Sequence, residues 1–182
     1  AEPGYFVDTH FASSQSACLA GTYNPLSGST SSSDCRTASA GFYVENPGSA
    51  SQASCDLGEY QPNEGWASCL TADPGYFVDE TGATAQKECQ AGTFNPNLGS
   101  ETPLDCADAD PGNYVSEAAS ATQISCDEGT YQNLRGQTEC KFASLGFFVN
   151  ATGAISQIPA PIDSYVDTTG ASEPLPCPGG TI

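Results

Sequence analysis

Cys18, Cys35, Cys55 and Cys69 recur 71 positions further on, as Cys89, Cys106, Cys126 and Cys140. The flanking text recurs in the same register: Ala1-Glu-Pro-Gly-Tyr-Phe-Val-Asp8 returns as Ala72-Asp-Pro-Gly-Tyr-Phe-Val-Asp79. A third copy opens at Ala143-Ser-Leu-Gly-Phe-Phe-Val-Asn150. Self-similarity at a fixed period marks a repeat architecture, in which each unit buries its apolar surface against its neighbours. The period divides the chain into a cysteine-rich repeat over 1–71 (half-units about 1–37 and 38–71), a second over 72–142 (half-units about 72–108 and 109–142), and a partial, irregular third over 143–182.

Gly4, Gly41, Gly75, Gly112 and Gly146 each precede an aromatic pair, or nearly so, and are spaced 37, 34, 37 and 34 apart. After each comes a valine, a polar turn and, usually, a Gln shortly before a Cys. That Cys opens C-x2-G-x-[Tyr/Phe], as in Cys18-Leu-Ala-Gly-Thr-Tyr23 and Cys126-Asp-Glu-Gly-Thr-Tyr131. Short aromatic and β-branched runs bounded by Gly, Pro and Asn read as strands, and Asn24-Pro-Leu-Ser-Gly28 reads as a turn between them. No ten-residue stretch has a clean 3.6-residue apolar period. The expected fold class is mainly β: an elongated tandem array of small disulfide-rich β-hairpin modules with little helix.

The nine cysteines need an explanation in a chain that is only 38% hydrophobic. Zinc sites bring ligands in close pairs, whereas the shortest gap between cysteines here is 14 positions and His10 is the sole histidine. Disulfides in an oxidising compartment supply what a small core lacks, so an extracellular or cell-surface location is expected. Sequence alone leaves connectivity open. In the third copy, however, the counterpart of Cys18 and Cys89 is Ala160. Pairing Cys18–Cys35, Cys55–Cys69, Cys89–Cys106 and Cys126–Cys140 satisfies eight cysteines and leaves Cys177. The other adjacent scheme strands three, so the count favours the first. By register Cys177 matches Cys106; by its own text, Cys177-Pro-Gly-Gly-Thr181, it heads a new unit. The local text is preferred, with the expectation that the natural chain continues; a bond to another subunit is the second reading.

Asp and Glu total 22 against 4 Lys and Arg, a formal charge of −18. Such a chain lacks the basic face that nucleic acid or an anionic membrane requires. No apolar run approaches the roughly 20 residues of a membrane span. No signal-like stretch opens it, which reads as a mature product or internal fragment.

The search for chemistry yields no catalytic residue. The counterpart of His10 in the second copy is Thr81, so the repeat needs no imidazole there. Asp127-Glu128 reads as a solvated turn. No cofactor is expected; calcium is a weak candidate at Asp105, Asp108 and Asp110, because hard cations take carboxylate oxygens. Asn150-Ala-Thr152 is an N-glycosylation acceptor pattern, and Ser29, Thr30, Ser31, Ser32 and Ser33 form a polar run open to O-linked sugar. The aromatic pairs Tyr5/Phe6, Phe42/Tyr43, Tyr76/Phe77 and Phe147/Phe148 read as packing between units rather than as a sugar-stacking ladder. Ile158-Pro-Ala-Pro-Ile162 reads as a stiffening of the third copy, with docking of a neighbouring chain as the other reading.

Tandem C-x2-G-T-[Tyr/Phe] segments, each with a glycine turn and a closing cysteine, resemble the ephrin-receptor-like cysteine-rich repeats and, more distantly, the first submodule of TNF-receptor cysteine-rich domains. The resemblance covers nearly the whole chain but rests mainly on Cys, Gly and Tyr. It implies small hairpin units strung into a scaffolding rod, with no catalytic residues. The expected function is a non-enzymatic structural repeat protein that self-associates into a rod, stalk or filament. The alternative is a receptor or adhesin ectodomain with a protein or glycan ligand.

Overall fold

The computed structural model describes residues 1–8 and 14–179; His10 lies outside them. Its elements are ten two-stranded antiparallel sheets, each formed by consecutive two-residue strands. Hairpins 1 to 5 pair Tyr5–Phe6 with Ser16–Ala17, Thr22–Tyr23 with Arg36–Thr37, Phe42–Tyr43 with Ala53–Ser54, Glu59–Tyr60 with Leu70–Thr71, and Tyr76–Phe77 with Lys87–Glu88. Hairpins 6 to 10 pair Thr93–Phe94 with Ala107–Asp108, Asn113–Tyr114 with Ile124–Ser125, Thr130–Tyr131 with Lys141–Phe142, Phe147–Phe148 with Ile158–Pro159, and Ser164–Tyr165 with Leu175–Pro176. The described helix is confined to two 3-10 turns, Ser32–Asp34 and Pro103–Asp105. No helix among the described residues is long and apolar enough to cross a membrane.

The recurring structural unit is thus one hairpin of 17 or 20 residues, and each sequence half-unit holds two. Every first strand follows a glycine (Asp163 in hairpin 10) and ends on an aromatic residue, from Phe6 to Tyr165. Hairpins 2 and 6 are the longer ones, and their three extra residues form the 3-10 turns.

Contacts divide the chain into two compact units, Ala1–Lys87 with Leu98–Pro103, and Glu88–Asn97 with Leu104–Ile182. Within the first unit, successive hairpins join through three backbone bonds. Between hairpins 2 and 3, Gly21 N donates to Val44 O at 2.8 Å, Asn24 N to Ser49 O at 3.1 Å, and Gly48 N to Cys18 O at 2.9 Å. The second unit repeats the pattern. Between hairpins 7 and 8, Gly112 N donates to Gln132 O at 2.7 Å, Val115 N to Gln137 O at 2.9 Å, and Gly136 N to Ala109 O at 2.9 Å. Strands this short cannot stand alone; the junctions satisfy the backbone groups they leave unpaired.

Hairpins two apart also touch. A Cβ added to Gly41 would lie 2.8 Å from the carbonyl carbon of Gly82, and one on Gly112 would lie 2.9 Å from that of Gly153. In hairpin 10 the glycine is replaced by Asp163, which keeps the left-handed conformation at φ 66°. Ala119 does the same at φ 59° where hairpin 3 has Gly48.

Burial follows the same positions. The residue three before each first-strand glycine is fully buried from Cys18 to Ala143, alternating Cys and Ala. The residue after the first strand alternates between Val44, Val78, Val115 and Val149 on one side, and Asn24, Gln61, Asn95 and Gln132 on the other. In the first unit Ala72, Val78 and Ala83 form a small apolar cluster, with Tyr60 packed against it. Burial, with smaller contributions from Asp73 and Tyr76, raises the Tyr60 hydroxyl above the usual tyrosine range.

Candidate functional site: two clasps on one hairpin

In nine hairpins a clasp joins the start of the module to the residue just before its second strand; in hairpin 10 these positions hold Ala160 and Pro174. In hairpins 2, 4, 6 and 8 the clasp is a disulfide: Cys18–Cys35, Cys55–Cys69, Cys89–Cys106 and Cys126–Cys140, with Cα separations of 5.6 or 5.8 Å. The opening cysteine is buried in every case, while its partner is half-buried. The bridges close loops of 17 or 14 residues.

In the odd hairpins the same two positions hold Ala and Gln. Gln52 Oε1 accepts from Ser39 N at 2.8 Å, Gln86 Oε1 from Asp73 N at 2.8 Å, Gln123 Oε1 from Asp110 N at 2.7 Å, and Gln157 Oε1 from Ser144 N at 2.7 Å. Gln15 accepts likewise from Glu2 N. The Nε2 of Gln86 also donates to Asp73 Oδ2 at 2.9 Å. An amide clasp therefore stands where the neighbouring hairpin has sulfur. The glutamine was visible in the sequence; its role was not, because alignment on the cysteines sets it beside the next cysteine rather than on a closing one.

The buried Asn or Gln of the disulfide hairpins shapes the loop that carries the closing cysteine. Asn24 Nδ2 donates to Ser29 Oγ at 2.7 Å, and its Oδ1 accepts from Leu26 N. In the shorter loops the longer amide reaches further: Gln61 Nε2 donates to Ser68 O and Gln132 Nε2 to Glu139 O, both at 2.8 Å. No buried side-chain polar atom among the described residues lacks a partner, as a buried amide demands.

The exchange of clasps predicts a specific repair and a specific loss. Gln86→Ala removes a side-chain bond to a backbone N–H and is expected to cost about 1 kcal/mol. The double substitution Ala72→Cys/Gln86→Cys places thiols 14 residues apart, as in Cys55–Cys69. It is expected to form a fifth bridge and add about 3 kcal/mol. Thiol titration and denaturant midpoints read both outcomes.

The remaining candidates fall in different places. Ser29 is buried and its hydroxyl accepts from Asn24, which withdraws it as a sugar acceptor. Thr30, Ser32 and Ser33 are exposed and Ser31 half-buried. The loop is a capped turn rather than a loose one: Asp34 Oδ2 accepts from the backbone N of Thr30 and Ser31, and Ser31 caps the 3-10 turn. Asn150 is exposed, two residues beyond the strand Phe147–Phe148.

Asp105, Asp108 and Asp110 are not gathered into a calcium site. Among the described residues, no three His, Cys, Asp or Glu come together as a metal-holding group. Asp110 pairs with Arg135 at 3.1 Å and accepts from Gln123. Asp105 sits in the 3-10 turn and Asp108 in the following strand, facing Gly136. Elsewhere Lys87 Nζ meets Asp79 Oδ1 at 2.6 Å on the surface and holds that carboxyl below its usual range.

A depression of about 360 Å³ opens between Phe6, Leu19 and the Cys18–Cys35 bridge, and no ionisable side chain among the described residues lines it. Ile158 lies in a strand of hairpin 9, and Ile162 stands almost fully exposed in the turn that follows. Cys177 is exposed with a free thiol. Its backbone N donates to Asp163 O at 2.9 Å, as Cys18 N donates to Gly4 O, so it occupies an opening position. No family model and no curated protein matches the chain.

Proposed function

We propose that this chain is part of an extracellular structural protein that self-assembles and builds a rod, stalk or filament by stacking hairpins clasped alternately by sulfur and by amide. The supporting observation is the junction itself. The same three backbone bonds join hairpin to hairpin within each compact unit, so the residues that recur are those that close and stack modules. The four bridges fit an oxidising compartment. The likeness to ephrin-receptor-like cysteine-rich repeats supports a scaffolding role. The net charge of −18 keeps such a surface soluble.

The test is shape. A compact globule of this length has a radius of gyration of about 16 Å. Small-angle scattering on the disulfide-intact chain is expected to give a clearly larger value, with elongated particles in negative stain. A value near the compact one defeats the rod. Monomeric rods that capture a soluble protein or glycan would point instead to a ligand-binding ectodomain.

A further inference from the structure

We infer that hairpin 9 is a docking surface for hairpin 9 of a second copy of this chain, an inference that rests on the self-assembly proposed above. The observation is a gap in the charge pattern. Residues 143–159 contain no Asp, Glu, Lys, Arg or His, whereas every other hairpin module carries at least one acidic residue in a chain of net charge −18. Two copies approaching through any other module bring carboxylates together inside the screening length of about 8 Å at physiological salt. Hairpin 9 itself brings none. The surface that meets it with least repulsion is the same uncharged hairpin, which makes the contact isologous and self-limiting.

The same hairpin exposes apolar side chains. Leu145 is 61% exposed, Ile155 58% and Ile158 42%, and on either side stand Phe142 at 69% and Ile162 at 93%. Burying such side chains against their like gives the contact a hydrophobic drive. Phe148 and Val149 of the same module are already buried inward, so the hairpin can present its outer residues without loosening its own packing.

Sedimentation equilibrium of the full disulfide-bonded chain tests this, beside the double variant Leu145→Asp/Ile155→Asp. Intact mass for the four bridges, and slow hydrogen exchange at the Ala160 amide bonded to Gly146 O, show that the variant folds. The wild-type chain is expected to dimerise and the variant to associate at least about tenfold more weakly. A variant that associates like the wild type overturns this surface and leaves self-assembly standing. A wild-type chain that stays monomeric overturns both. Protection of hairpin 9 amides only on adding phosphatidylcholine vesicles assigns the face to lipid and overturns the proposal. A glycan on Asn150 in native material also overturns it, because the sugar covers the same hairpin.

Discussion

Reducing the four bridges is expected to unfold the protein. Loops of 14 and 17 residues are each worth about 3 kcal/mol in the chain-entropy estimate, or about 12 kcal/mol together. That equals the whole net stability of an ordinary domain. The described core offers little to offset the loss: outside the cysteines, its fully buried side chains are alanines, valines and paired amides. Proton NMR dispersion and protease sensitivity, with and without reductant, read the result. A reduced chain that keeps its dispersion would show that the junctions suffice alone. Replacing single pairs by alanine separates the contributions, and Cys55→Ala/Cys69→Ala is expected to cost about 3 kcal/mol.

The second large effect comes from adding one carbon. In Gly41→Ala the new Cβ would stand 2.8 Å from the Gly82 carbonyl carbon and closer still to its oxygen. Backbone two hairpins away cannot rotate aside as a flexible side chain would. Gly41 also has φ +81°, where an L side chain costs about 1–2 kcal/mol. Separating the two hairpins breaks packing on top of that, and the expected loss exceeds about 4 kcal/mol. Gly28→Ala is the control: φ is +75°, and none of the described residues lies within 4 Å of its new Cβ, so the conformational cost of about 1–2 kcal/mol is what remains. Equal losses for the two variants, by denaturant unfolding under oxidising conditions, would show that close stacking contributes nothing.

The fold class was legible because cysteine, glycine and aromatic residues recur in fixed register, and each has a backbone or covalent reason to stay in place. The size of the module was harder to see. Gly4-Tyr-Phe-Val7 and Gly21-Thr-Tyr-Asn24 are the same stretch of hairpin, but one module closes with Gln and the next with Cys. A cysteine-based comparison therefore reads one structure as two kinds of segment. Hairpin 10 is harder still, since Ala160 and Asp163 replace both of its landmarks and only the backbone shows that Asp163 takes the glycine's place. Ser29 looked like its neighbours in a polar run. What buries it is the amide of Asn24, a tertiary contact that composition does not encode. Asp105, Asp108 and Asp110 are close in sequence, but they lie in a 3-10 turn, in a strand and after that strand, and no metal-holding group of three forms among the described residues.

The glycine windows join hairpins of equal parity, so each compact unit carries two interleaved columns. In the second unit the covalent ties at Cys89 and Cys126 both belong to the even column. Hairpins 9 and 10 then use alanine in succession, and Cys177 takes the opening position on the odd side. The alternation of sulfur and amide clasps is interrupted at hairpin 10, like a dropped stitch in a woven strip. With Ala160 and Pro174 at its clasp positions, hairpin 10 has no sulfur to close it, which makes its loop the natural place for the weave to give first.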